Sequence, residues 1–361
     1  MRGTPDPQLA MLTTLSTEDL IPSDHPIRRI RAVVEVVLAE LDGEFAAMYA
    51  VDGRPSVPPE RLLKATVLMA MYSIRSERAF CERLNYDLLF KWFLDLPIDA
   101  RAFDATTFSK NRRRLLDAEI ADQFFAKVVA QAKLRRYVSS DHFSVDGTLL
   151  EAWASHKSFK PKDGPPAPPP VGRNTEVSFH GERRSNQTHQ STTDPEARLA
   201  RKSNATAAKL CFTGHTLMEN RNGLLVDAEL SESSGFAERD VAVEMLARLP
   251  KTARRRTVGA DKGYDTAGFV AAVRDLKITP HVAQHTNQRR SAIDGRTIRH
   301  DGHEVSMRIR KRIEEPFGWV KTVGGGRKLR YKGRQRNRAW FLMTAAVYDI
   351  IRIVALDTAS S

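Results

Sequence analysis

Cysteine is nearly missing from this chain. Cys81 and Cys211 are its two copies, far apart and without a C-x-x-C pair, which argues against a disulfide framework or a thiolate zinc site and fits a reducing cytoplasm. Long hydrophobic runs are scarce as well. The longest, near Ala339 to Tyr348, is soon broken by Asp349 and Arg352, and the stretch Met1-Arg-Gly-Thr-Pro-Asp-Pro7 has no apolar signal core, so no membrane span is expected. Acidic residues are outnumbered: 57 Lys and Arg against 44 Asp and Glu leave a net charge of +13 and a pI near 9.9. That surplus points to a polyanionic partner, because phosphate contacts supply most of the binding energy in such pairs. What remains is 361 residues, 41% hydrophobic and 28% charged, the composition of a globular chain of two or three domains.

Three acidic residues stand in contexts suited to a carboxylate at the centre of a domain. They are Asp146 in Phe143-Ser-Val-Asp-Gly-Thr148, Asp261 in Val258-Gly-Ala-Asp-Lys-Gly-Tyr264, and Glu314 in Arg310-Lys-Arg-Ile-Glu-Glu-Pro-Phe-Gly-Trp-Val-Lys321. Asp146 precedes Gly147, where a missing side chain leaves room for a phosphate or metal, and Asp261 ends a predicted strand before Gly263. Their neighbours Asp141 and Asp265 read as turn or capping residues. Two carboxylates on adjacent strands and a third on a helix beneath them can hold two Mg²⁺ ions, with Mn²⁺ as a substitute, for cutting and rejoining phosphodiester bonds.

The first part of the chain reads as helical and the second as alternating strands and helices. Pro26 opens an apolar periodicity through Ile30, Val33, Val34, Val37, Leu38 and Leu41, Pro58 and Pro59 open a second, and Ser76 begins a third. A following helix from Asp104 or Thr106 through Leu116 presents Lys110, Arg112, Arg113 and Arg114 outward, and its Thr106, Ser109, Lys110 and Arg113 suit a helix entering a major groove or an ordinary solvated face. From Val138, strands are predicted at His142 to Glu151, Lys209 to Leu217, Gly223 to Leu230, Arg256 to Ala260 and Ile278 to Val282, with helices at Val241 to Leu249 and Thr266 to Leu276. That order predicts an α/β fold: an RNase H-like core, a mixed five-stranded sheet flanked by helices, behind an all-α N-terminal domain. The boundary falls at 137/138. Residues 155–203, with Pro165-Pro-Ala-Pro-Pro-Pro170, read as a polar, flexible, partly ordered insertion, either a linker or a segment that folds on DNA through cations such as Arg183 and Arg184.

Helical geometry separates Glu314 from Glu315. On a continuous helix at 100° per residue, Arg310, Glu314 and Lys321 share one sector beside the apolar stripe of Ile309, Ile313, Phe317 and Val320, while Glu315 faces solvent or DNA. Between Arg289 and Arg338 there are sixteen Lys and Arg against five Asp and Glu. Gly324-Gly-Gly326 reads as a mobile joint, and Arg327, Lys328, Arg330, Lys332 and Arg334 as a surface for phosphates without base preference.

At these blocks the chain resembles the DDE transposases of bacterial insertion sequences, of the insertion-sequence-five group within the insertion-sequence-four/five superfamily. Pro22-Ser-Asp-His-Pro26, Gly53-Arg-Pro55 and Ser73-Ile-Arg-Ser-Glu-Arg78 look like the group's helical N-terminal domain, and Ser144 to Thr148, Ala260 to Tyr264 and Arg310 to Glu314 with Phe317 and Lys321 like its catalytic blocks. Related elements carry a Tyr, Arg, Glu, Lys signature; Arg310, Glu314 and Lys321 match it, whereas Met307 stands at the Tyr position. The resemblance implies a magnesium-dependent enzyme with Asp146, Asp261 and Glu314 as catalytic metal ligands. Arg310 and Lys321 would hold phosphates, and Trp319 would stack on a displaced base or pack in the core. It implies double-stranded DNA partners, both transposon ends and target, a homodimer on DNA, and a cytoplasmic, nucleoid-associated place in a bacterium. A nuclease of the same fold and a non-catalytic DNA-binding descendant are the alternatives.

Overall fold

A computed structural model of the chain describes residues 16–48, 56–117, 119–162, 184–203, 205–287 and 290–360, with the side chains of 116 and 117 left aside. Eight helices come first: α1 (Thr17–Leu20), α2 (Ile27–Ala39), α3 (Asp42–Met48), α4 (Pro59–Met71), α5 (Glu77–Leu84), α6 (Leu88–Phe93), α7 (Ala105–Asp117) and α8 (Ile120–Leu134). The predicted apolar periodicity is what they bury. Ile27, Ile30, Val33, Val34, Val37 and Leu38 of α2 all face inward, and Ser76 and Asp87 cap α5 and α6 by accepting the amide N–H of Ala79 and Phe90. Helices α6 and α7 follow α5 with a stacked Phe80–Phe90 contact and a Phe80–Phe108 contact, so α5 and α7 belong to a packed bundle with α6 between them rather than to two helices joined by a tight turn.

The second half supplies β1 (His142–Glu151), β2 (Phe159–Pro161), β3 (His189–Ser191), β4 (Arg198–Ala200), β5 (Lys209–Glu219) and β6 (Leu225–Glu232). Then come α9 (Ala237–Ala247), β7 (Arg256–Ala260), α10 (Ala267–Asp275), β8 (Ile278–Val282), α11 (Gly295–Ile298), α12 (Asp301–Ile309), α13 (Glu314–Lys321) and α14 (Arg334–Ser360). β1, β7 and β8 fall on the predicted bounds, and α9 and α10 where helices were expected. β5 lies between β1 and β6, antiparallel to both, and β1, β7 and β8 run parallel, which is the strand order of an RNase H-like core. The fold is the expected mixed α/β one, with a sixth strand: β4 pairs with the start of β5 on the edge that β6 covers farther along.

The described residues within 155–203 include short ordered pieces. β2 and β3 pair with each other, Phe159 is buried in a stack with His189, and Ala197 is fully buried before β4 joins the sheet. Short apolar anchors suffice because the main sheet provides the core they pack on. The Pro-rich stretch and Arg183 lie outside the described residues.

Helix α14 is the longest element. It contacts α2, α4, α7, α8, α13 and β6, so the N-terminal helices and one face of the sheet share its core. It is also long and apolar enough to cross a membrane, but 78% of that apolar window is buried within the fold, as in the central helix of a globular protein. The other face of the sheet packs Phe143, Val145 and Val258 against Val241, Met245, Tyr264 and Phe269.

Candidate active site

β7 pairs with β1 only through His142–Ser144, with Ser144 beside Gly259; beyond that point the strands part. Asp146 stands two residues beyond Ser144 and Asp261 two beyond Gly259, and the charge of Asp261 reaches Asp146. Asp261 caps the 3-10 turn Lys262–Tyr264 by accepting the Gly263 amide at 2.7 Å, and Asp146 accepts the Gly147 amide at 2.8 Å. Burial above all, then the nearby charges of Asp261 and Glu238, push the Asp146 carboxyl up to about 7, against the lowering effect of the Gly147 amide and Arg310.

Arg310 and Lys321 lie close by. A Cβ on Gly259 would stand 3.2 Å from Arg310 Cβ, so the glycine lets that residue close over the strand, and Arg310 Nε is buried without a hydrogen-bond partner. Lys321 donates from Nζ to Thr148 Oγ1 at 2.5 Å. Both cations act electrostatically with Asp146. Glu314 lies between them in sequence, at the exposed first turn of α13, and makes no hydrogen bond or ion pair among the described residues. The continuous helix assumed for its phase is interrupted: α12 ends at Ile309, and Arg310–Ile313 form a 3-10 turn before α13. Glu315 is exposed beside α14, where it meets Arg352 at 3.8 Å and Tyr348.

The carboxylate the sequence reading missed is Glu238, in the first turn of α9. A Cβ on Gly147 would come within 2.8 Å of Glu238 Cγ and 3.2 Å of its Oε1. In sequence Glu238 is one polar position of an amphipathic helix; only the packing of α9 on β1 shows its place. The donors Asp146, Asp261 and Glu238 are all hard oxygens, which suits Mg²⁺ or Mn²⁺. Among the described residues no three such groups stand close enough together to hold a metal ion.

The predicted DNA contacts divide. Thr106, Ser109, Lys110 and Arg113 form one exposed face of α7, whereas Arg112, expected outside, is buried and paired with Glu77 at 2.7 Å. Arg327, Lys332 and Arg334 are exposed, Lys328 is half-buried 3.8 Å from Glu151, and Arg330 turns inward. Its side chain is 11% exposed, 3.8 Å from Glu77, and burial lowers its pKa to about 10. The three glycines are a packed turn rather than a joint: Gly325 has φ +74°, and Cβ atoms on Gly324 and Gly326 would strike Thr344 and Trp340 at 2.6 Å. Trp319 is half-buried, edge-on to Tyr348 at 5.9 Å, and Arg184, the first described residue before β3, is half-buried. A basic cleft of about 1290 Å³, also unread from sequence, is lined by residues of α11 and α12 and by His142, Arg221, Arg255, Arg296 and Arg299, and not by Asp146 or Asp261.

Two family models match this chain, a transposase domain (DUF772) over residues 15–114 and a transposase DDE domain over residues 174–350. Both matched models describe transposase domains, the second of them a DDE domain. The DDE match takes in Asp261 and Glu314 and begins after Asp146. The chain is similar in outline to the piggyBac transposase in a synaptic complex with hairpin DNA, at 9% identity and TM-score 0.43, covering 96% of this chain and 78% of that one. It is also similar to the Mos1 transposase in its strand transfer complex, at 9% identity and TM-score 0.20, covering 76% and 81%. No curated protein matches the chain. The strand order, not those distant outlines, carries the fold.

Proposed function

We propose that this is the transposase of a bacterial insertion sequence, of the insertion-sequence-five group, which binds terminal inverted repeats, cleaves DNA at the transposon ends and joins the freed 3′-OH ends to target DNA. The observation that supports this reading is that Asp146 feels the charges of Asp261 and Arg310, and Lys321 that of Asp146. Asp146, Asp261 and Glu314 are the residues to hold Mg²⁺, two per site, which when bound supplies the Lewis acidity for activating a nucleophile and stabilising a leaving oxygen.

In cleavage, a water oxygen forms a bond to the phosphorus at the transposon end and the bond to the 3′ oxygen breaks. In joining, the freed 3′-OH takes the place of water, loses its proton to solvent, and displaces a 3′ oxygen of the target strand, so no external energy source enters. Arg310 offers an unpartnered Nε to the phosphate, and Lys321 balances charge from the other end of α13. The basic cleft suits the duplex backbone. Excision needs paired cuts, so the working form is a homodimer holding two ends, in the bacterial cytoplasm at the nucleoid.

A joining assay tests this reading against a nuclease of the same fold. Purified chain, Mg²⁺ and end DNA with a target plasmid should give ends covalently joined to target; cleaved ends that never join would assign the chain to hydrolysis alone.

A further inference from the structure

Beyond Ser144, β1 has no strand beside it on the β7 side, and α9 fills that opening from the opposite face of the sheet. Three features meet there. Gly147 has no side chain, and Glu238 occupies the space one would take, with Cγ 2.8 Å and Oε1 3.2 Å from the position of a Cβ. Arg239 fixes the turn that bears Glu238: it donates to the Gly263 carbonyl at 3.2 Å and the Gly235 carbonyl at 2.9 Å, tying the start of α9 to the turn that follows Asp261. Tyr264 is 1% exposed, and its buried hydroxyl has no hydrogen-bond partner, yet it lies within electrostatic reach of Asp146, Glu238 and Asp261 together.

An orphaned buried donor beside three carboxylates is costly unless something completes the set. Glu238 feels Asp261 and Asp146 feels both, so the three acids repel without a cation. A divalent ion answers both problems: it offsets the repulsion, and water on it can donate a hydrogen bond to the Tyr264 hydroxyl oxygen.

We propose that Glu238 is a fourth carboxylate of the metal centre, holding one divalent cation together with Asp146 and Asp261, with Tyr264 Oη turned toward water on that ion. This rests on the proposed function in placing a cation at the aspartate pair, and adds a ligand from α9 that the three-acid set lacks. Glu314, exposed on α13, serves the second ion.

The test is Mn²⁺ binding to the full chain without DNA, by titration calorimetry and by the spin-resonance signal of free Mn²⁺, with thermal melting in and out of Mn²⁺ alongside. Glu238→Gln should weaken binding by about tenfold or more, and shrink the metal-induced rise in melting temperature. Its metal-free melting temperature should stay level or rise, because a repelling charge is gone. Glu238→Asp keeps the charge and should fall between. Gly147→Ala leaves every carboxylate in place but pushes Glu238 aside, and should also weaken Mn²⁺. Wild-type affinity in Glu238→Gln and Gly147→Ala, beside a loss in Asp146→Asn, would overturn the role of Glu238 and leave the aspartate site standing. Unchanged affinity in Asp146→Asn would remove the aspartate site itself.

Discussion

Lys321 Nζ and Thr148 Oγ1, 2.5 Å apart, tie the helix that carries Glu314 to the strand that carries Asp146. Thr148 is two residues past Asp146 and so on the same face of β1, and Lys321 is two turns past Glu314 on α13. The bond thus sets how far α13 slides along the sheet. Thr148→Val keeps the shape of the side chain and removes the acceptor from a half-buried ammonium. It should lower stability by about 1–2 kcal/mol in urea unfolding and slow cleavage, with end binding retained. Full stability together with full cleavage would show that the bond positions nothing.

The carboxylates should separate by role. Asp146→Asn, Asp261→Asn and Glu314→Gln should each cut cleavage by roughly 10³-fold or more while DNA-end binding changes little. Glu315→Gln should leave cleavage near wild type, since Glu315 faces Arg352 and Tyr348 on α14. Cleavage that survives Glu314→Gln but fails in Glu315→Gln would reverse the assignment on α13.

How much of this was legible depended on whether the signal was local. β1, β7 and β8 are short apolar runs bounded by turns, and their period is written in consecutive residues. Asp146 sits on β1 and Asp261 directly after β7, so reading the strands also located these two carboxylates. Glu238 is different: its meaning depends on α9 crossing β1 at a glycine, which no spacing encodes. Charge density failed in a related way. Arg327, Arg330 and Lys332 look alike in a basic run, but Leu329 is fully buried and draws Arg330 in with it toward Glu77. The helical phase of Glu314 broke because 3-10 geometry at Arg310–Ile313 turns faster than the 100° assumed.

Acid should weaken the fold through His215. It is fully buried on β5, with Nε2 2.8 Å from Ser231 Oγ and Nδ1 unpartnered, and burial lowers its pKa to about 4. The unfolded chain therefore takes up the proton first, near pH 6.5, while the folded chain stays neutral to about pH 4. Stability from this group is present above pH 6.5 and is lost as pH falls to about 4, amounting to about 3 kcal/mol at most. His281, also lowered to about 4, acts in the same direction. Unfolding free energies at pH 7.5, 5.5 and 4.5 should fall less steeply in His215→Gln than in wild type. Equal slopes would mean that His215 is not held neutral.

The exposed cations should divide between affinity and specificity. Arg327, Lys332 and Arg334 remain solvent-facing near the end of β1, so neutralising them together should weaken end and random duplexes alike. The slope of log affinity against log salt should become shallower by up to about 0.9 for each phosphate no longer neutralised. Arg330→Ala belongs to another class: it leaves Glu77 to Arg112 alone and opens a buried site, so it should cost about 3 kcal/mol of stability before any effect on DNA. Preference for the transposon end should sit on α7, where Thr106, Ser109, Lys110 and Arg113 form one open face. Lys110→Ala with Arg113→Ala should bring end and scrambled duplexes to about the same affinity. Binding measured across salt on both duplexes decides: if the Arg327, Lys332 and Arg334 change removes the end preference while the α7 change spares it, the two surfaces have exchanged roles.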